Sequence, residues 1–286
     1  MFGRALRLVV VTMLAGCVSG TAMAQNAGDP NTGALTFTGG LDVPSVYVFR
    51  GIVQERDPQL TMWPFGDLGL AFYAGDGGLK SVGVNVGVWN SLQTGSSGTK
   101  GPSRRLHYQE DFSATLTVGF GSGVNVASSF TARTSPNAMF TTNREISVKV
   151  SKAGGLGPYG LIAFELDENG QADRGLKKGT YLELGARPRW ALGGGGTTLA
   201  VPVKLGMSLS NYYEGSTGDG KFGFFQVGGL VTIPLTGVPS RFGSWNVHGG
   251  ADLITFGETT EAFNVNAGGD TSKSKVVGLF GIGVTY

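Results

Sequence analysis
Thirteen ionisable side chains fall on one parity of the alternating segments of this 286-residue chain: Asp42, Arg50, Asp67, Asp111, Arg133, Glu145, Lys149, Glu165, Glu183, Arg187, Arg189, Lys204 and Asp252. Six are basic and seven acidic, so the surface they share is polar and near neutral. Charges in rings or stripes are how pores select ions. The same charges can instead pair across a filled interior, because buried ionisable groups must find partners. Arg187 and Arg189, with Lys204 on the next segment and Arg133 elsewhere, suggest a local basic stripe facing Glu145, Glu165 and Glu183.

Catalytic and metal chemistry find little support. The chain has two histidines. His107 shares the parity of Gln109 and Asp111, and His248 that of Asn246 and Asp252, so both are expected to point inward, with no serine partner on the outer face for nucleophilic catalysis. His107 and Asp111 are four residues apart, about 13 Å along a strand, too far to share one metal ion. Gly193 to Gly196 lacks the Lys-Ser/Thr of a phosphate loop and reads as a turn. The expectation is therefore no catalytic residue, no metal and no cofactor.

The elements that position the charged face must be strands. The chain has 50 glycines, is 15% charged and 41% hydrophobic, and has a mean hydropathy of +0.06. Past residue 20 no apolar run approaches the roughly 18 residues of a membrane helix, which excludes a helical membrane protein. Alternation broken at Gly, Pro, Asn, Asp and Ser clusters predicts twelve strands, at about 35–51, 61–73, 79–92, 105–120, 124–133, 142–151, 157–167, 179–191, 197–210, 221–235, 244–256 and 275–286. Ten or fourteen remain open, depending on how Pro44 and the stretch around Pro64 are read. Tight glycine turns at 74–78, 121–123, 152–155 and 193–196 alternate with longer polar connections at 93–104, 134–141, 168–178, 211–220 and 257–274. That rhythm predicts an all-β, antiparallel, up-and-down transmembrane barrel with short periplasmic turns and longer extracellular loops. A soluble sandwich or β-helix is the competing architecture. The loop 257–274, the longest, is the candidate to fold back as a plug.

The opposite parity is apolar, as in Val82, Val84, Val86 and Val88, or Leu116, Val118 and Phe120, and is assigned to lipid. A cation facing the bilayer midplane costs roughly 2–4 kcal/mol, so charges should collect on the other parity, and Glu110, near the start of a descending strand, is the only ionisable residue expected to face lipid. Aromatics near strand ends suggest two interfacial girdles: Tyr73, Phe120, Tyr159, Trp190, Trp245 and Tyr286 at one rim, Phe49, Trp63, Tyr108, Phe222 and Phe256 at the other.

Compartment follows from the ends. Arg4 and Arg7, the apolar stretch from Leu8 to Val18, and Ala22-Met23-Ala24 predict a signal peptide at 1–24, followed by a periplasmic segment at 25–34 and the barrel at 35–286. Leu14-Ala15-Gly16-Cys17 also fits a lipoprotein box, in which Cys17 would be acylated. Gly281, Val284 and Tyr286 fit the Gly-x-x-apolar-x-aromatic ending read by the barrel-insertion machinery, which with outer-membrane lipid is an expected partner. Net charge is +2 and no Lys/Arg run exceeds two, so no nucleic-acid footprint exists.

Asp42-Val-Pro-Ser-Val-Tyr47-Val-Phe49-Arg50-Gly51-Ile52, followed by Val86-Gly-Val-Trp89-Asn90-Ser91, resembles the opening of a proteobacterial family of conserved outer-membrane barrels of unknown function, the TorF-like barrels, which carry a Tyr-x-Phe-Arg-Gly element. The resemblance spans residues 42 to 91 and implies an outer-membrane barrel with no established substrate. On this reading Arg50 projects from the first strand near the outer mouth and pairs with a carboxylate such as Asp67. Three functional readings remain open: a passive channel for small polar solutes, a closed barrel docking another envelope component, and a lipid-modifying enzyme.

Overall fold
The computed structural model of the protein describes residues 33–168, 177–215 and 218–286. The expected leader at 1–24, Cys17 and the segment 25–32 lie outside them. Within them the period-2 alternation folds as expected into twelve wall strands. These are β1 (Leu35–Pro44), β2 (Thr61–Ala74), β3 (Leu79–Gln93), β4 (His107–Phe120), β5 (Val124–Thr134) and β6 (Asn143–Lys152). Next come β7 (Tyr159–Glu165), β8 (Thr180–Ala186 and Arg189–Ala191), β9 (Thr198–Ala200 and Val203–Ser210), β10 (Phe222–Pro234), β11 (Ser244–Phe256) and β12 (Ser274–Thr285).

Every neighbouring pair is antiparallel, and β1 pairs with β12 from Thr38↔Thr285 to Pro44↔Leu279, closing the wall. Closure leaves no sheet edge, the condition for strands to cross lipid. Tyr286 completes the seam, exchanging both backbone hydrogen bonds with Phe37 at 2.6 and 2.8 Å. The interruptions in β8 and β9 fall at Pro188 and Pro202, whose rings carry no donor. Their carbonyls still accept from Val201 N and Gly228 N, each at 3.0 Å, so the wall stays continuous.

The outer parity carries the exposed apolar belt, including Leu68, Val86, Leu116, Val148, Phe225 and Phe280. A closed wall presenting this belt is solvated by hydrocarbon and places the protein in the bacterial outer membrane. The long-connection end is the extracellular one by the loop-length rule.

Three expectations are corrected. Arg144 also lies on the outer face, at the extracellular end of β6, where Asp167 accepts from its Nε at 2.9 Å and its Nη2 at 2.6 Å. His107 does not point inward with Gln109. A register irregularity at Ser91/Leu92 sets it beside outward Asn90, with 2.9 Å between Nε2 and Asn90 Oδ1. The expected outer girdle mostly turns inward: Phe49, Trp63, Tyr108 and Phe256 are buried inside the barrel, and only Phe222 of that set is exposed. Trp63 shares the parity of Asp67, so the inward direction follows from the pleat. At the other rim Tyr73, Phe120, Trp190 and Tyr286 are exposed, while Tyr159 turns into the lumen to meet Lys149 and Glu183.

Candidate functional site: an in-folded hairpin above a basic vestibule
The chain leaves the wall at Pro44, several residues before the expected end of the first strand, and residues 46–55 enter the barrel before 56–60 return to the surface. A two-residue hairpin forms there, with Val48 opposite Val53 and Phe49 opposite Ile52, and Gln54 N donating to Tyr47 O at 2.9 Å. Its tip is Arg50-Gly51, with φ of 46° and 81°. Positive φ at both turn positions suits the strand twist of a tight hairpin; glycine adopts it freely, whereas arginine does so only where its surroundings hold it.

What holds it is a buried network. Arg50 forks onto Glu145, donating from Nη1 to Oε2 at 2.6 Å and from Nη2 to Oε1 at 2.8 Å, and Nη1 also donates to Tyr212 Oη at 2.9 Å. Arg133 donates to the same Glu145 at 3.3 Å and approaches Asp111 at 3.6 Å. Asp111 in turn accepts from Gln109 at 2.8 Å, and Gln109 accepts from Tyr47 Oη at 3.2 Å. The Arg50 guanidinium lies 4.2 Å from the Tyr181 ring centroid, and the Phe49 ring is within 5.0 Å of both Arg50 and Arg133. Two cations and two carboxylates thus neutralise one another out of water. Side-chain exposure is 4% for Arg50, 2% for Glu145 and 1% for Arg133.

Other loops clamp the tip. Tyr213 Oη donates to Arg50 O at 2.8 Å. Asn264, which follows the one-and-a-half-turn helix α1 (Glu258–Phe263), accepts from Val53 N at 2.8 Å and donates to Gly51 O at 2.7 Å. The expected fold-back of 257–274 is therefore partly met: that loop reaches in to hold the plug, and the plug itself is 46–55. The expected Arg50–Asp67 pairing is replaced. Asp67 accepts from Asn85 at 2.6 Å on the neighbouring strand, while Arg50 has moved with the hairpin to Glu145.

A second cluster lies towards the short-turn end. Lys149 Nζ is 4.0 Å from the Tyr159 ring centroid, and Glu183 accepts from Tyr159 Oη at 2.6 Å and from Tyr181 Oη at 2.8 Å. Arg187 and Arg189 project from the end of β8 and Lys204 from β9 opposite Gly185, with Asp252 near Arg187 and Lys204. The basic stripe expected from the alternation is present in Arg187, Arg189 and Lys204, and Lys149 joins it. Arg133 does not, being taken up with Glu145. Glu165 stands apart as well, accepting from Asn143 Nδ2 at 3.2 Å and from Gly179 N at 2.7 Å.

The seam has its own polar lock. His248 on β11 and Asp42 on β1 reach across the intervening β12 to within 2.9 Å, passing over Gly281. A Cβ there would lie 2.3 Å from Asp42 Oδ1 and 2.4 Å from His248 Nε2, so this glycine has a packing role whatever reads it during insertion. With Asn246 Oδ1 3.1 Å from Nδ1, both ring nitrogens of His248 are engaged. Composition hid Tyr47, Tyr181, Tyr212, Tyr213 and Asn264; the adjacent Tyr212-Tyr213 pair inside a polar loop is the signal that points to the middle of this group.

No protein-family model matches the chain, and no curated protein does. Solved structures share its fold. An outer membrane channel from Pseudomonas putida F1 aligns at a TM-score of 0.50 and 10% identity over 91% of this chain and 99% of its own. The NanC porin aligns at 0.43 and 10% identity, covering 88% and 99%. OmpF of Salmonella typhi aligns at 0.39 and 8%, covering 88% and 97%. At 10% identity the alignment at 0.50 shows a likeness of fold alone.

Proposed function
We propose that the protein is a porin-like channel for small polar solutes, described in a closed conformation in which its first extracellular loop occupies the lumen. The observation that carries this reading is the contrast along the barrel axis. The two lumen cations of the outer half, Arg50 and Arg133, are ion-paired and dry, whereas Lys149, Arg187, Arg189 and Lys204 of the inner half are partly exposed and, among the described residues, lie within 4.0 Å of no carboxylate. A scaffold has no need of a half-wet lumen with unpaired charge. The plug is tethered by hydrogen bonds and ion pairs, contacts that water can replace when it moves. The structural neighbour from Pseudomonas putida F1, named an outer membrane channel, is consistent with this reading.

The test is conductance of the refolded protein in a planar bilayer, beside Arg50→Ala and a form in which residues 46–53 are replaced by a short Gly-Ser linker. A channel gives low or flickering conductance in the native form and steady, salt-scaled conductance in both variants. Silence in all three with insertion verified rejects the channel. It favours the docking barrel, the reading supported by the near-complete burial of Tyr47, Phe49 and Arg50.

A further inference from the structure
The inner vestibule is a cluster of like charges without matching partners. Arg187 and Arg189 flank Pro188 at the interruption of β8, two residues apart and so about 7 Å at 3.3 Å per extended residue. Lys204 is on the adjacent strand, paired in register with Gly185, and Lys149 is on β6. The acids within the cluster are Glu183 and Asp252, and both Glu183 oxygens already accept tyrosine hydroxyls. Four cations against two carboxylates leave an excess of two positive charges. Arg187 Nε is buried and has no hydrogen-bond partner among the described residues. A guanidinium N–H withdrawn from water and left unmatched is costly. An oxyanion is the ligand that repays it, since the planar fork of arginine matches two oxygens of a carboxylate or phosphate.

We infer that this vestibule binds small oxyanionic solutes, carboxylates or phosphates, entering from the short-turn end. Two arginines about 7 Å apart, flanked by two lysines, suit an anion with two charged groups better than a single halide. The inference deepens the channel reading and rests on it for the solute's onward path. Binding itself does not require the plug to move, because the vestibule lies below the hairpin.

The experiment is isothermal titration of the full-length protein, refolded in a non-ionic, phosphate-free detergent, with succinate and with inorganic phosphate; glucose and putrescine serve as neutral and cationic controls. The expected result is saturable binding of the two anions alone, weakened by added salt, and weakened at least tenfold in Arg187→Gln/Arg189→Gln. Lys204→Gln, which keeps both arginines, should weaken it less, and serves if the double variant fails to fold. Absence of saturable anion binding overturns the inference, as does binding unchanged in whichever of these variants folds. Binding present in a protein silent in bilayers rejects the channel and leaves the anion site standing; conductance without anion binding does the reverse.

Discussion
The two halves of the lumen use the same residue types to opposite ends. In the outer half arginine meets carboxylate: Arg50 and Arg133 share Glu145, and the rings of Trp63, Trp89 and Tyr108 pack 5.3 to 6.3 Å from that of Tyr47. In the inner half arginine stands beside arginine, and the nearest ring to a cation, Tyr159, holds only the lysine. Position along the barrel thus decides whether an inward charge is structural or available. Strand number alone leaves this open, since twelve strands lie between barrels that side chains fill and barrels that hold a channel.

The sharpest way to break the comparison is to remove one charge from each half. Arg50→Ala strands Glu145 with Arg133 alone, and removing one partner of a buried pair costs about 3–5 kcal/mol. A large drop in the heat-modification temperature on gels is expected. Arg187→Ala should leave that temperature nearly unchanged, since no carboxylate loses its partner; equal shifts for the two would erase the distinction. Next in size is Gly281→Ala, whose Cβ would collide with both members of the Asp42–His248 lock. Overpacking of this kind costs about 1–3 kcal/mol, and slower closure in refolding assays is the expected sign.

A smaller effect comes from pH, at a group outside the wall. Asp219, in the loop that carries Tyr212 and Tyr213, is partly buried, which pushes its carboxyl upward. Hydrogen bonds from Lys221, Ser208 and the Asn211 backbone outweigh this and hold it below the usual carboxylate value. A depressed value contributes stability that is present above the unfolded-state pKa of about 3.9 and lost as pH falls through the folded one. The near-ultraviolet circular dichroism of the tyrosine cluster should therefore hold steady down to about pH 4 and decline below it; a change centred between pH 6 and 8 would place the control elsewhere. Least of all, Arg144→Ala removes the exposed pair with Asp167. Exposed pairs contribute roughly 0–1 kcal/mol, so denaturation should be nearly unaltered, in contrast to Arg50→Ala.

Much of this was legible in the alternation. Charge parity identified the lumen side of Glu145, Glu183, Arg187 and Lys204, and glycine turns set the strand boundaries to within a few residues. The plug was not, for a physical reason. Val46-Tyr47-Val48-Phe49 is as apolar and β-prone as a wall strand, so a strand leaving the wall and a strand staying in it look alike. The clues were Pro44, at which the ladder to β12 ends, and Arg50-Gly51 between two apolar dipeptides, a two-residue hairpin pattern. Pairings such as Arg50 with Glu145 are set by tertiary placement, which neighbouring residues do not encode. His107 was misplaced by a single irregularity, because one extra residue in a strand exchanges its faces.

The hairpin tip also carries a consequence for assembly. Its partners are Glu145, Tyr212, Tyr213 and Asn264, between 95 and 213 residues further along the chain. Contacts of such sequence separation form late. Docking of the hairpin thus waits for β6, the β9–β10 loop and the end of α1, so a seated hairpin reports that those distant elements are in place.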